Sequence, residues 1–214
     1  MKILVTGFDP FGGATINPAY EAVKLLPAEI KGASIVTKEI PTVYIKDGVV
    51  LEACIQEEKP DIVICVGQAG GRSHMTVEKV AVNLMEARIP DNDGQQPVDT
   101  PVYEDGPDAY FATIPVKAMV QKMRDNKIPA KVSYTAGTFV CNDIMYRLLY
   151  MADRKYPGMR GGFIHVPFLP EQVLDMADGT PSMTAELIAK AIECGIEAIL
   201  ETETDIKVAM GETH

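Results

Sequence analysis

Short apolar runs alternate along the chain with amphipathic stretches. The near-continuous apolar runs Lys2 to Thr6 and Asp61 to Val66 are typical of buried parallel strands. Apolar residues recur at helical spacing in Lys46 to Glu57 and in Pro181 to Glu201, which predicts helices covering the sheet faces. Further strands are predicted at Ser34 to Ile40, Thr76 to Leu84, Val132 to Thr135 and Gly161 to Val166, and further helices at Pro18 to about Leu26, at Pro115 to about Asn126 and from about Asn142. This order predicts an α/β protein with a mostly parallel central sheet.

Composition and charge narrow the function classes. A chain of 214 residues with 47% hydrophobic content fits one well-filled core, so we expect residues 1–214 to form a single domain, with a polar, acidic tail at 202–214 that frays. The net charge of -10 argues against nucleic acid or an anionic membrane surface as partner. No apolar run approaches the roughly 18 residues of a membrane span, and the start of the chain does not fit a signal peptide. The four cysteines show no CxxC spacing, which favours neither zinc nor disulfides, and a reducing cytoplasm is the expected location.

Two glycine-rich turns follow predicted strands, GFDPFGG at 7–13 and GQAGGR at 67–72. Loops after parallel strands meet at the carboxyl edge of a sheet, where α/β proteins bind ligands. The first turn fits neither GxGxxG nor GxxxxGK[ST], so it is weak support for a phosphate site. Phe8 and Phe11 either plug the end of the sheet or form a wall for a flat ligand. Gln68 is either a solvated loop amide or a hydrogen-bonding group aimed into a site.

Cys141 lies between a predicted strand and a predicted helix. At the start of a helix, unpaired amides and the helix dipole stabilise a thiolate, which would lower the thiol pKa below its ordinary value of about 8.5. The alternative is that Cys141 is a small buried apolar residue, which is our interpretation of Cys65 and Cys194.

Two other side chains could complete an acyl-transfer site with Cys141. His165 ends a predicted strand at the same sheet edge, and Glu78 shares a strand face with apolar residues, where a carboxylate needs a partner. A cysteine nucleophile, a histidine that moves the proton and a carboxylate that orients the histidine form a known catalytic combination. Glu78 could equally form a salt bridge, and His165 could be structural. Spacing alone therefore indicates only a possible cysteine hydrolase.

Seven motifs occur in an order that resembles the pyroglutamyl peptidase I family. They are GFDPFGG with Asn17-Pro18, IPTV, VGQAGGR, TVEKVAVNL, ARIPDNDGQQP, SYTAGTFVCN and GGFIHVPFLPEQ. Together they cover nearly the whole chain to about residue 200. The resemblance implies a single-domain α/β/α sandwich with a twisted, mostly parallel sheet. It also implies a cytosolic cysteine peptidase without metal or other cofactor, usually a homotetramer, that removes N-terminal pyroglutamyl groups from peptides through a thioester.

The same resemblance implies roles for individual residues. Glu78, Cys141 and His165 match the catalytic residues of the family, and Arg88 matches an arginine close to the active cysteine. Phe8, Phe11, Phe139 and Gln68 match the residues that bind the lactam. Asp143 is a departure, because bacterial members often have histidine there. Its charge in the first helical turn would raise the pKa of Cys141 slightly.

A pyroglutamyl group is a flat, uncharged lactam, which apolar rings and an amide side chain suit. Such a site should reject proline, which lacks the lactam carbonyl, and glutamate, which brings a charge into a dry pocket. Two alternatives remain open. One is a purine nucleoside phosphorylase-like enzyme that needs phosphate and tolerates loss of Cys141. The other is a protein that binds pyroglutamyl peptides without cleaving them.

Overall fold

A seven-stranded sheet forms the centre of the fold in the computed structural model, which describes residues 1–211. The last three residues of the expected frayed tail lie outside the described residues. The sheet contains β1 (Lys2–Phe8), β2 (Glu29–Ile30), β3 (Ala33–Ile40), β4 (Ile62–Gln68), β5 (Met75–Glu78), β8 (Ala130–Ser133) and β9 (Arg160–Val166), and a separate two-stranded sheet contains β6 (Val80–Val82) and β7 (Ala109–Phe111). The spatial order of the large sheet is β2-β3-β1-β4-β9-β5-β8. Strands β3, β1, β4 and β9 are parallel, as the apolar runs predicted.

Five α-helices cover the two faces of this sheet. They are α1 (Pro18–Val23), α2 (Lys46–Glu58), α3 (Val116–Asp125), α4 (Val140–Arg154) and α5 (Ala185–Glu201), with a 3₁₀ turn at Pro170–Gln172. Helices α2 and α4 pack together on one face, and α5 packs against α1 and α3 on the other. The predicted α/β/α sandwich is therefore confirmed. Helix α1 begins where the Asn-Pro pair predicted, because Asn17 Oδ1 accepts the Ala19 N–H at 3.0 Å.

The predicted strand from Thr76 to Leu84 is wrong, because the chain leaves the large sheet at Lys79. The Lys79 N–H donates to Ser133 O at 2.7 Å, whereas its carbonyl accepts the Ala112 N–H at 3.0 Å. Lys79 thus joins β5 in the large sheet to β6 in the small one. Apolar alternation continues across the junction, so the pattern gives no sign of it. Strand β5 also runs antiparallel to β9, with Thr76 opposite His165 and Glu78 opposite Phe163.

The strand that precedes α4 runs in the opposite direction to the central strands, which the sequence did not predict. Strand β8 is parallel to β5 and therefore runs against the central strands, so residues 134–139 carry the chain back to the carboxyl edge. Helix α4 begins at Val140, which places Cys141 in its first turn. Asn142 fixes this turn to the small sheet. Its Oδ1 accepts the Val82 N–H at 2.9 Å, and its Nδ2 donates to Val82 O and Leu84 O.

The segment after α5 lies against the start of α3. Residues 202–211 form neither helix nor strand, but the Asp205 carboxylate accepts the backbone N–H groups of Lys117 and Ala118 at 3.0–3.1 Å. This satisfies donors that the first turn of a helix leaves without intrahelical partners. Within residues 1–211, no helix is both long enough and apolar enough to cross a membrane.

Candidate active site

His165 and Glu78 meet across the antiparallel β5–β9 pair. Glu78 lies diagonally opposite His165 on one face of the sheet, and His165 Nδ1 is 2.8 Å from Glu78 Oε1. Both side chains are buried. The carboxylate therefore fixes the ring orientation and the tautomer that carries the proton on Nδ1, which leaves Nε2 to accept a proton.

Arg72, at the end of the VGQAGGR motif, is a third member of this group. Its Nη1 donates to Glu78 Oε1 at 2.9 Å and to Thr76 Oγ1 at 2.5 Å. Glu78 thus makes the salt bridge that we considered as an alternative and contacts His165 as well. Sequence analysis gave Arg72 no role. The arginine at the end of the motif was the available signal, but its reach depends on the turn that precedes β5.

Burial acts in opposite directions on the pKa values of Glu78 and His165, yet both pKa values lie below their ordinary values. Burial alone would raise the pKa of Glu78, but hydrogen bonds and charges from His165, Ser133 and Arg72 outweigh it, so the pKa falls below its ordinary value. Burial lowers the pKa of His165, and the contribution of Glu78 does not fully offset it. The resting site at neutral pH therefore contains a glutamate anion and a neutral imidazole that can act as a base.

Cys141 lies on the same side of the sheet as His165. A side-chain Cβ at Gly67 would come within 2.9 Å of Cys141 Sγ, so the thiol occupies the space that a larger residue there would fill. Gly67 is the register partner of His165 in the parallel β4–β9 pair. Neighbouring strands lie about 4.8 Å apart, and partners in a parallel pair project to the same side. The thiol and the imidazole are consequently adjacent.

The pKa of Cys141 is raised, not lowered as its place in the helix predicted. Burial raises it to about 12, and the negative charge of Glu78 adds to this effect. The helix dipole is too weak to balance the loss of solvation in this site. Cys141 therefore rests as a neutral thiol at neutral pH.

A small cavity opens at the thiol. Its volume is about 130 Å³, and its lining consists of Phe8, Phe11, Ile16, Asn17, Thr42, Gln68, Phe139 and Cys141. Phe139 packs between the rings of Phe11 and Tyr44, with centroids 5.3 Å and 5.4 Å away. The three predicted phenylalanines and the predicted glutamine thus lie around one space next to the candidate nucleophile.

A larger cavity of about 700 Å³ adjoins the first and shares Phe11, Ile16 and Gln68 with it. Its other lining residues include Ile89, Phe168, Glu171, Gln172 and Met176. Gln172 Nε2 donates to Gln68 Oε1 at 3.0 Å, which fixes the amide between the two cavities.

Comparison with known proteins shows the family of the chain. The pyroglutamyl peptidase family model matches residues 1–202. The chain belongs to the pyroglutamyl peptidase family. It is 59% identical to a pyrrolidone-carboxylate peptidase from Enterococcus faecalis and 56% identical to one from Finegoldia magna, in each case over the full length of both chains. Among solved structures, pyroglutamyl peptidase I from Bacillus amyloliquefaciens has a TM-score of 0.92 at 50% identity, covering 96% of this chain and 99% of that one. The Thermococcus litoralis pyrrolidone carboxyl peptidase has a TM-score of 0.93 at 41% identity, covering 97% and 99%.

Membership of the pyroglutamyl peptidase family confirms the resemblance that the motifs indicated. It gives no support to the nucleoside phosphorylase-like alternative or to the non-catalytic binder. The roles of individual residues stay predictions. Among them, Arg88 is exposed and is not one of the residues that line either cavity, so its predicted place near the cysteine rests on the motif alone.

Asp143, the departure from the bacterial pattern of the pyroglutamyl peptidase family, is buried below the catalytic turn. Its Oδ2 accepts Arg147 Nε–H at 2.9 Å and the Ile45 N–H at 3.0 Å. Asp47, from the first turn of α2, is also buried, and its carboxyl group interacts with that of Asp143. Sequence analysis missed this cluster, because residues so far apart in the chain meet only when α2 packs against α4.

Proposed function

We propose that this chain is a cysteine peptidase that hydrolyses the N-terminal pyroglutamyl group from peptides. The single observation that carries the proposal is that Cys141 lines a small aromatic cavity beside Gly67, the register partner of His165, whose ring is held by Glu78. Family membership supports the same reaction.

In the proposed reaction, His165 Nε2 takes the thiol proton as Cys141 Sγ attacks the pyroglutamyl carbonyl carbon. Backbone N–H groups in the first turn of α4 are the candidate donors to the oxyanion, each contributing on the order of 3 kcal/mol. The imidazolium then protonates the departing amine, and a thioester remains on Cys141. Water activated by His165 hydrolyses the thioester and frees the thiol. Glu78 stabilises the imidazolium in both halves of the reaction.

The small cavity gives the lactam its recognition site in this proposal. At about 130 Å³ it admits one small ring, whereas pockets for drug-sized ligands have about 300–1,000 Å³. Phe11 and Phe139 would contact the faces of the lactam, and Gln68 would pair with its amide. A charged glutamate or ammonium group in this apolar space would lose its hydration without a counterion.

The larger cavity would accept the peptide that follows the pyroglutamyl residue. It shares Phe11, Ile16 and Gln68 with the lactam cavity, and Phe168 follows closely on the strand that carries His165. Since His165 protonates the departing amine, the leaving peptide must lie on that side. Apolar side chains at Ile89, Phe168 and Met176 favour apolar residues in the leaving peptide.

The test is release of a fluorescent amine from a pyroglutamyl amide under reducing conditions. We expect Cys141→Ser to lower kcat/KM at least about a thousandfold, because serine is much less acidic than cysteine at a site built around a neutral imidazole. Cys54→Ser, on α2, is the matched control and should retain activity. The prolyl amide should not be cleaved. Retained activity in Cys141→Ser would refute the assignment of the nucleophile.

We also propose a cytoplasmic location and a homotetramer. The unpaired cysteines at 54, 65, 141 and 194 suit a reducing compartment. Exposed apolar side chains, such as Phe111 and Val98, each 64% exposed, and Leu174, 79% exposed, are candidates for subunit contacts. Sedimentation of the purified protein should give a mass four times that of the 23.3 kDa chain, and a monomer would contradict the tetramer.

A further inference from the structure

A pair of buried carboxyl groups lies beneath the turn that carries Cys141. Asp47 on α2 and Asp143 on α4 both have 0% exposure, and both carboxyl groups lie beside Arg147 Nε, at 3.9 Å and 2.9 Å. Asp47 Oδ1 accepts the Gly48 N–H at 2.5 Å, and Asp143 Oδ2 accepts from Arg147 and Ile45. Each carboxyl group has a second oxygen that accepts no hydrogen bond from the described residues, namely Asp47 Oδ2 and Asp143 Oδ1.

The charges of this cluster do not balance if both carboxyl groups are ionised. Arg147 is the cation, with Nε 2.9 Å from Asp143 Oδ2 and 3.9 Å from Asp47 Oδ1. Its own side chain is 7% exposed and packs over the Tyr103 ring at 5.0 Å. Two anions and one cation would leave a buried negative charge without a partner, which proteins avoid by protonation.

We propose that Asp47 carries a proton at neutral pH and donates it in a hydrogen bond to Asp143, and that this pair holds the first turn of α4 in place for Cys141. The proton gives the Asp47 carboxyl group, whose Oδ2 accepts no hydrogen bond within residues 1–211, an O–H that it can donate. One negative charge remains, and Arg147 neutralises it. Asp143 is two residues after Cys141, so the pair acts on the nucleophile through the backbone of a single helical turn.

The surroundings of the pair are consistent with a trapped proton. The facing titratable groups are Tyr44 and Asp91 beside α2, Cys65 on β4, Cys141 on α4 and Tyr103 against Arg147. Burial raises the pKa of Tyr44 and that of Cys65, so both groups stay neutral and neither removes the proton. Burial, and then the charge of Asp143, raise the pKa of Asp47 well above its ordinary value. Asp91 is committed to other donors, including the Tyr44 N–H at 2.9 Å.

The pair also secures the start of α2. Ile45 has a φ of 67°, in the left-handed region that a β-branched residue rarely adopts, and its N–H is the donor to Asp143. The hydrogen bond thus helps hold a strained residue at the point where α2 meets α4. Losing the pair would loosen the helix start that presents the thiol.

Infrared spectroscopy tests the proton directly. With the aspartate carboxyl carbons isotopically labelled, wild-type protein at neutral pH should show the carbonyl band of one protonated carboxyl group, and Asp47→Asn should lack it. Asp93→Asn, an exposed carboxylate that contacts Lys46 at 3.3 Å, is the matched control and should keep the band. Absence of the band in the wild type would overturn the proposal, whatever the enzyme activity.

Kinetics test the positioning role, which rests on the proposed role of Cys141. Asp47→Ala should lower kcat about tenfold with little change in KM, because the pair contacts the helix start and not the substrate. Asp47→Asn should recover most of the loss, since its amide N–H replaces the O–H of Asp47 at the same net charge. Equal losses in both variants would refute the positioning role.

Unfolding against pH gives a readout independent of activity. A carboxyl group with a raised folded pKa contributes stability that is fully present below its unfolded pKa of about 3.9 and is lost as the pH rises through the folded value. The free energy of unfolding of the wild type should therefore fall, relative to Asp47→Asn, as the pH rises. A constant difference between the two proteins would contradict a proton on Asp47.

Discussion

Arg72 lies close to His165, the proposed catalytic base, and its removal should shift the pH dependence of kcat/KM. In Arg72→Met, Glu78 would lose the 2.9 Å contact from the guanidinium but keep the 2.8 Å contact with His165. The positive charge of Arg72 lowers the pKa of His165, so its loss should raise that pKa. In the proposed mechanism neutral His165 accepts the thiol proton, so the acidic limb of kcat/KM should move to higher pH.

The two contacts through Glu78 place the guanidinium on the order of 5 Å from the imidazole, where two unit charges interact by about 3 kcal/mol at an effective dielectric of 20. The side chain of Arg72 is 32% exposed, so solvent screens part of this interaction. We take about a third of the interaction energy between Arg72 and His165, which is roughly 1 kcal/mol. This energy corresponds to a shift of about 0.7 units in the pKa of His165. Removing the Arg72 partner would also raise the pKa of Glu78, which remains ionised at neutral pH.

The assay is the pH profile of kcat/KM on a pyroglutamyl amide, with the melting temperature measured in parallel. Arg72→Lys should shift the acidic limb less than Arg72→Met, because lysine keeps the positive charge although it lacks the Nη1 that contacts both Thr76 and Glu78. Arg154→Met removes an exposed arginine paired with Asp153 and should leave the profile unchanged. If the limb of a folded Arg72→Met protein stays in place or moves to lower pH, the electrostatic assignment of Arg72 is incorrect.

Two further substitutions test the cavities. Gly67→Ala would place a methyl group 2.9 Å from Cys141 Sγ and 2.7 Å from the Phe163 ring, so we expect kcat/KM to fall about a hundredfold. Alkylation of the thiol by iodoacetamide would be slowed too, whereas an unchanged rate would place the thiol elsewhere. Glu171 is a carboxylate in the lining of the larger cavity, so pyroglutamyl peptides with an acidic second residue should be cleaved several times more slowly than neutral ones. Glu171→Gln should reduce that difference in competition assays, and an unaltered ratio would count against this cavity as the leaving-peptide site.

The pattern of apolar residues predicted the layered fold because each element buries a face that its own spacing reveals. It predicted burial of Glu78 for the same reason, since alternation placed that carboxylate among apolar residues. The apolar pattern did not predict that the strand ends at Lys79. This break depends on the neighbouring strands, because the chain pairs with the large sheet before Lys79 and with the small sheet after it. The reversed direction of β8 was hidden likewise, because strand direction is a property of the assembled sheet.

The candidate site was likewise predicted only in part from the sequence. Motifs brought Cys141, His165 and the aromatic residues together by resemblance, and in the structure Cys141 and three phenylalanines line one cavity, with His165 on a neighbouring strand. The direction of the Cys141 pKa shift could not be predicted, because it depends on burial and on the charge of Glu78, a residue far away in the chain. The roles of Arg72 and of the Asp47–Asp143 pair were not predicted for a related reason. The role of a charged side chain depends on the groups that contact it in the folded protein.

The unequal burial of the four cysteines has a practical consequence for enzymology. Cys65 and Cys194 are 0% and 1% exposed and Cys54 is 9% exposed, whereas Cys141 is only partly buried and lines an open cavity. A small electrophile that fits this cavity should therefore modify one position per folded chain. The number of moles incorporated would count competent molecules in a preparation, so turnover numbers could be corrected for oxidised or misfolded material without reference to total protein.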